Sequence, residues 1–281
     1  MRKHWTITVA SLAAILLVTG ANVGFAWQRN SGQRQGSEQP GTKWTDDQLQ
    51  QAVALARVGK KLTPKSWPDH SRVAVCLTFD DDTESWRLRD GMTSPTTLSS
   101  ADFGAESGTP RILNMLARYE VPATFFLTGV DAMLHPGMVS GILQGGRNEI
   151  GVHGWIHEFP PSLGSEAEEE RLLDKAMEYL TQASGKRPTG YRAPSWAFSP
   201  YTLDILQKKG FLYDSSLQAM DEPYEILSRG KDTGIVELAI DWTLTDTPYL
   251  GQEGHMPSPN FFSGCIKKSL TAPMTRALCS S

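Results

Sequence analysis

Six short runs suited to buried β-strands, at 73–79, 123–127, 149–152, 190–192, 211–214 and 235–240, alternate with amphipathic helical stretches along this sequence. That alternation restricts the chain to an α/β fold with parallel strands, as an open sheet or a barrel covered by helices. The helical stretches carry their own punctuation. Thr109-Pro110 supplies a cap and a first-turn proline ahead of Ile112, Leu113, Leu116 and Ala117, and Ser199-Pro200 repeats the device before Leu203, Ile205 and Leu206. A helix is expected around 138–143, and the longest spans 166–184 with Leu172, Leu173, Ala176 and Leu180 on one face. Upstream, Thr45 and Gln48 form a capping-box start, and Leu49, Val53, Leu55, Ala56 and Val58 an apolar face. This pattern predicts a helix of about four turns reaching Gly59.

Charge and composition narrow the function. The 281 residues include 27 Lys+Arg and 31 Asp+Glu, a formal net charge of -4, so no polybasic face for nucleic acid is implied. Hydrophobic residues make up 40%, enough for the core of one barrel-sized domain or of two small ones. Cys76, Cys265 and Cys279 form no C-x-x-C pair, so stability rests on that core rather than on disulfides or a cysteine zinc knuckle. Arg2, Lys3 and His4 precede an uncharged apolar run over 5–27, the pattern of an export segment. Gly24-Phe25-Ala26 predicts signal-peptidase cleavage after Ala26; left uncleaved, the run is an N-terminal anchor and the chain's expected link to a membrane. The product is therefore expected in the periplasm, the cell wall or the medium. After the export segment at 1–27, residues 28–43 read as a polar tether, 44–262 as the folded domain and 263–281 as an aberrant tail. A homo-oligomer is left open.

Three constellations carry chemistry. Leu77-Thr78-Phe79-Asp80-Asp81-Asp82 sets three carboxylates at the C-terminal end of the first buried run, the edge on which α/β active sites assemble. Taken alone, such a run is more often a solvated acidic turn. Gly151-Val152-His153-Gly154-Trp155-Ile156-His157-Glu158 follows another strand end with two histidines four apart. On a helical turn that spacing puts both imidazoles on one face, where a divalent cation is gripped. With a carboxylate from a neighbouring strand end, the pair makes a His-His-Asp site with positions open for water. Strand alternation places Asp80 and Asp82 on one side and Asp81 on the other. Gly190-Tyr191-Arg192-Ala193-Pro194-Ser195-Trp196 is a proline-stiffened turn. Its guanidinium can hold a carboxylate and its indole can wall a sugar-sized pocket.

In order and spacing, T-F-D-D-D, H-x-x-x-H and R-A-P-S-W, followed by Tyr213-Asp214-Ser215-Ser216, resemble the motifs of the polysaccharide deacetylases, also called NodB-homology domains or family 4 carbohydrate esterases. The resemblance runs over about 67–260. The Phe-Asp-x-Asp form, G-x-H-G-W-x-H-E and Pro223-Tyr224 are most similar to the branch holding peptidoglycan deacetylases and allantoinase-like or cyclic-imide hydrolases. The resemblance implies a distorted (β/α) barrel and metal-assisted hydrolysis of an acetamide on an N-acetylated glycan, peptidoglycan or chitin-like, with a small cyclic amide or imide as the alternative substrate. It implies Asp80 as general base, oriented by Arg192, and Zn²⁺ or a similar divalent cation on His153, His157 and one aspartate. The branch pattern and strand alternation favour Asp82, whereas the wider family's T-F-D-D favours Asp81. Trp196, Pro194 and Tyr191 are the implied substrate-binding residues.

After Phe262 the match ends. No Leu-x-x-His follows, and neither do the strands and helix that close such a barrel. The expected fold is therefore truncated at its C-terminal end and without the family's acid for the leaving amine, His255 being the one late histidine. A shifted reading frame is the explanation expected for the tail. Codons chosen for Ile266 to Ala277 and read from their third bases spell Q-E-E-F-D-G-A-Y-D-E-G, similar to the W-x-x-E-F-D-G-A-Y-x-E-G segment of this branch. The expected consequence is an exposed sheet edge and a reduced rate, or a pseudoenzyme that binds glycan without turnover.

Overall fold

The computed structural model describes residues 39–67, 71 and 74–246, so the export segment, His255 and the tail lie outside the described residues. The described residues fall into two units, 39–44 and 45–246; in the first, Pro40–Lys43 makes a 3₁₀ turn. The second contains, in chain order, α1 (Asp46–Ala54), β1 (Arg57–Lys61), β2 (Thr78–Asp81), α2 (Ser85–Arg89), α3 (Pro95–Phe103), α4 (Thr109–Tyr119) and β3 (Thr124–Leu127). It continues with α5 (Gly129–Leu134), α6 (Pro136–Leu143), β4 (Glu149–Val152), α7 (Glu166–Ser184), β5 (Gly190–Tyr191), α8 (Thr202–Lys208), β6 (Tyr213–Asp214), β7 (Tyr224–Ser228) and β8 (Lys231–Glu237). The sheet order is β1-β7-β8-β6-β5-β4-β3-β2. From β8 to β2 every pairing is parallel, and β7 joins β1 and β8 antiparallel. The six parallel strands match the six runs read from sequence, and the arrangement is that of a distorted (β/α) barrel.

Burial explains which elements hold. Phe125, Leu127, Val152, Ala176, Leu180, Ile205 and Leu206 are buried in one core, where the predicted face of α7 meets strands on the inner side. Ser165 caps α7 by accepting from the Glu168 amide, and Gly185 ends it with φ 71°. Elsewhere the structure departs from expectation. The N-terminal helix keeps its Thr45–Gln48 capping box but stops at Ala54, because Leu49 and Val53 are 45% and 52% exposed and give it no apolar face to bury. Arg57–Lys61 instead finds ladder partners on β7, with Val58 opposite Ile226. The β7–β8 hairpin had no period-2 signature, yet Arg229-Gly230 at its tip takes φ 50° and 75°, the left-handed pair that a two-residue hairpin turn demands. The first parallel strand begins at Thr78, with Val75 and Leu77 exposed ahead of it. Thr109 is no cap: α3, a π-helical turn at Gly104–Gly108 and α4 follow one another directly, and its hydroxyl serves Asp81 instead. Among the described residues, no helix is long and apolar enough to cross a membrane.

Candidate active site

The C-terminal ends of β2, β4 and β5 converge, and the three motifs come with them. Asp82 follows the last residue of β2, and His153 the last residue of β4. Asp82 Oδ1 lies 3.6 Å from His153 Nε2, and Oδ2 lies 3.6 Å from His157 Nε2. The two imidazoles meet edge to face with centroids 5.1 Å apart. No helical turn brings them together, contrary to the i, i+4 expectation. Gly154 takes φ 74° and His157 φ 53°, so the chain doubles back between them. A Cβ at Gly154 would stand 2.9 Å from both Glu158 Oε1 and Pro194 Cγ, so glycine is required for conformation and for space.

The rest of the loop is satisfied locally. The Glu158 carboxylate accepts from the Trp155 and Ile156 amides, each at 2.9 Å. The Gly154 and Trp155 carbonyls accept from Gly129 N at 3.0 Å and Val130 N at 2.8 Å, docking the loop on the free amides that begin α5.

Electrostatics favour a cation here. His153 Nδ1 stands 2.8 Å from the Arg192 carbonyl; since a carbonyl only accepts, Nδ1 carries the hydrogen and Nε2 keeps its lone pair. Burial holds the His153 pKa below its usual value, and burial with His153 and Arg89 drives His157 down to about 3. Both imidazoles are therefore neutral, as ligands must be. Burial first, and then Asp80, Asp131 and Asp81, push the Asp82 carboxyl well above the carboxylate range. Its Oδ1 is buried without a hydrogen-bond partner. Donors 2.0–2.1 Å from a tetrahedral cation stand about 3.3 Å apart, so the two 3.6 Å spacings and the orphaned oxygen fit a divalent ion. Asp81 is not in this group. It is buried on the opposite side, its carboxyl raised by burial, and it accepts from Thr109.

Arg192 organises the other half. Its guanidinium lies 4.2 Å over the Phe126 ring and donates from Nη1 to Asp80 Oδ1 at 2.6 Å. It also donates to the Ser215 carbonyl at 2.8 Å, Ser215 Oγ at 2.7 Å and Thr78 Oγ1 at 3.0 Å. One Asp80 oxygen is thus fixed and the carboxylate stands beside the His-His-Asp group. Trp196, half-buried at φ 52° after Ser195 at φ 57°, meets Trp242 edge-on at 5.1 Å. Pro194 is buried against Gly154. Tyr191 corrects an expectation. With Arg192 turned to the site, alternation sends Tyr191 to the other face, where it is 4% exposed and packs on Phe211 in the core.

Three participants carried no sequence signal. Arg89 Nη1 donates to the His157 carbonyl at 2.6 Å and lies 3.2 Å from its Nδ1. Asp131, at the third position of α5, accepts from the Thr128 amide at 2.9 Å and from Thr83, which follows Asp82 at φ 35°. Burial pushes Asp131 up to about 7. Trp242 lies beyond every motif read.

The polysaccharide deacetylase family model matches residues 68–213, just over half of the chain and all three strand ends that build this group. The chain belongs to the polysaccharide deacetylase family. A peptidoglycan deacetylase of Helicobacter pylori is 36% identical over 180 residues, 56% of this chain and 61% of its own length. A peptidoglycan deacetylase-like protein of Gibberella zeae is 31% identical over 171 residues, 59% of this chain and 50% of its own. The chain thus spans about half to three fifths of these curated deacetylase relatives. Among solved structures, a Mycobacterium smegmatis protein assigned to the polysaccharide deacetylases superposes with a TM-score of 0.66 at 34% identity, over 76% of each chain. The Puue allantoinase structure, at 22% identity and TM-score 0.63 over 74% of each chain, shares the fold.

Proposed function

We propose that this chain is an exported, divalent-metal-dependent hydrolase of carbon–nitrogen bonds other than peptide bonds, removing acetyl groups from an N-acetylated cell-wall or chitin-like glycan. The observation that carries the reading is the pairing of two sites at one sheet edge: neutral His153 and His157 around the unpartnered Asp82 oxygen, with Asp80 fixed by Arg192 alongside. Relatives named as peptidoglycan deacetylases, and the export segment read from the sequence, support a wall polymer as substrate.

Asp82, His153 and His157 hold the cation, Zn²⁺ being the first choice for this nitrogen- and oxygen-donor set. When bound there, such an ion supplies Lewis acidity for the acyl oxygen and lowers the pKa of a coordinated water. Asp80 takes the proton of the attacking water on the oxygen that Arg192 leaves free. Arg192, bonded at four points, prevents that carboxylate from swinging onto the cation. Trp196 gives one apolar wall for a sugar ring.

The test is acetate release from N-acetylglucosamine polymers and from peptidoglycan by Zn²⁺-loaded protein, with Asp80→Asn as control. Release abolished by that substitution is the expected outcome. Ring-opening of hydantoin-type compounds without acetate release would replace the reading with a cyclic amide hydrolase. Glycan and zinc binding without turnover would make the chain a pseudoenzyme.

A further inference from the structure

A second group of ligand-type side chains converges outside the Asp82 cluster. Glu84 precedes α2, Asp102 lies near the end of α3, and His135 joins α5 to α6. His135 Nε2 stands 2.9 Å from Glu84 Oε2 and 3.9 Å from Asp102 Oδ1, and the three donor atoms lie within 4.8 Å of one another. The Glu84 and His135 side chains are 12% and 13% exposed, and Asp102 41%, so the group is sheltered on two sides and wet on the third.

An ion pair accounts for only part of this arrangement. One imidazole pairs with one carboxylate, and at 2.9 Å its partner is Glu84. Asp102 is then a second carboxylate turned toward the same nitrogen, too far for a hydrogen bond to it and accepting none elsewhere among the described residues. Spacings of 2.9 and 3.9 Å bracket the edge of about 3.3 Å that a tetrahedral ion at 2.0–2.1 Å from each donor requires. The imidazole excludes Ca²⁺ and Mg²⁺ as preferred occupants, because those ions take oxygen donors.

We propose that Glu84, Asp102 and His135 form a second divalent-cation site of the Zn²⁺ class, with its remaining positions filled by water. Its role is positional. Glu84 lies two residues beyond Asp82, so an ion here ties the far side of that turn to α3 and to the α5–α6 junction.

The test strips the full chain with a chelator and titrates it with Zn²⁺ alone by calorimetry. Wild type is expected to bind two equivalents. Asp102→Asn and His135→Gln should each weaken one of them by about tenfold or more while leaving the other intact. Asp82→Asn should remove the other equivalent and leave this one. Because Asp102 is partly exposed, its variant should melt with wild type in the absence of metal, and Zn²⁺ should raise the Tm of Asp82→Asn but not of the Asp82→Asn/Asp102→Asn double variant. A single equivalent in wild type that vanishes with Asp82→Asn overturns the proposal. Two equivalents unmoved by both Asp102→Asn and His135→Gln overturn it as well.

Discussion

Two collections of carboxyl groups stand at opposite ends of the parallel sheet and resolve the same electrostatic problem in different ways. At the end of β2, three consecutive aspartates are sent to three different partners: Asp80 to a guanidinium, Asp81 to a hydroxyl, and Asp82 to two neutral imidazoles. On β6 and β8, Asp214 and Glu237 face each other in register, and among the described residues neither forms an ion pair. There Asp214 accepts from Ser216 N and Oγ, both at 2.8 Å, and Glu237 accepts from Leu217 N at 3.1 Å. Burial and Asp214 push the Glu237 carboxyl well up, and its Oε2 is buried without a hydrogen-bond partner, which favours the protonated acid. A buried acid is tolerated when it is neutralised by its own proton, but an acid that must stay ionised needs a cation or a guanidinium. The first kind is structural, and the second is available for chemistry.

The largest effect should come from the cation side. Asp82→Asn removes the one anionic donor of the group, so Zn²⁺ binding at this site should be lost, and with it glycan deacetylation by about 10³-fold or more. Inductively coupled plasma mass spectrometry together with acetate release checks both; full activity with the metal gone would break the contrast. Asp80→Asn should separate metal from chemistry. The zinc content stays at the wild-type level while kcat falls by about 10²- to 10⁴-fold, because the amide cannot accept a proton.

How much of this was legible follows from what each signal depends on. The bounds of β4 and α7 are local properties, fixed by alternation, capping and an apolar stripe, and they hold, whereas the first and last runs overlap their strands only in part. The three strand-end motifs were readable because parallel α/β topology delivers every such end to one edge. What failed depends on partners distant in sequence. β1 exists because β7 is there to pair with it, and Leu49 has nothing to pack on. The histidine loop was mistaken for a helical turn because H-x-x-x-H shows only spacing, whereas Gly154 and His157 at positive φ decide the path. The resemblance implies Tyr191 at the substrate, yet neighbours on a strand face opposite sides, and with Arg192 at the site Tyr191 packs in the core. Arg89 and Asp131 act through a backbone carbonyl and a threonine, contacts that no residue spacing encodes.

A smaller effect should appear at Asp81. Thr109→Val removes the hydroxyl that serves this buried carboxylate, which should cost about 1–3 kcal/mol of stability. Zinc stoichiometry should not change, because Asp81 lies outside the proposed donor group of Asp82, His153 and His157. A chemical denaturation curve beside a metal assay separates the two readouts. Loss of zinc in this variant would place Asp81 in the metal group after all.

Glu237→Gln should have the smallest effect at acid pH, and there its sign is informative. A carboxyl whose folded pKa is raised contributes stability that is whole below its unfolded value near 4.5 and is lost as pH climbs toward the folded pKa. Glutamine imitates the protonated acid, so near pH 4.5 the variant should match wild type within about 1 kcal/mol. As the pH is raised, wild type forfeits the proton-linked part and the glutamine variant does not. The Tm of Glu237→Gln should therefore gain on that of wild type from pH 4.5 to pH 8, measured with chelator present so that the histidine site does not contribute a bound metal. A difference that stays flat over that range would mean that Glu237 is ionised in the folded chain, and the two carboxyl collections would then need the same kind of counter-charge.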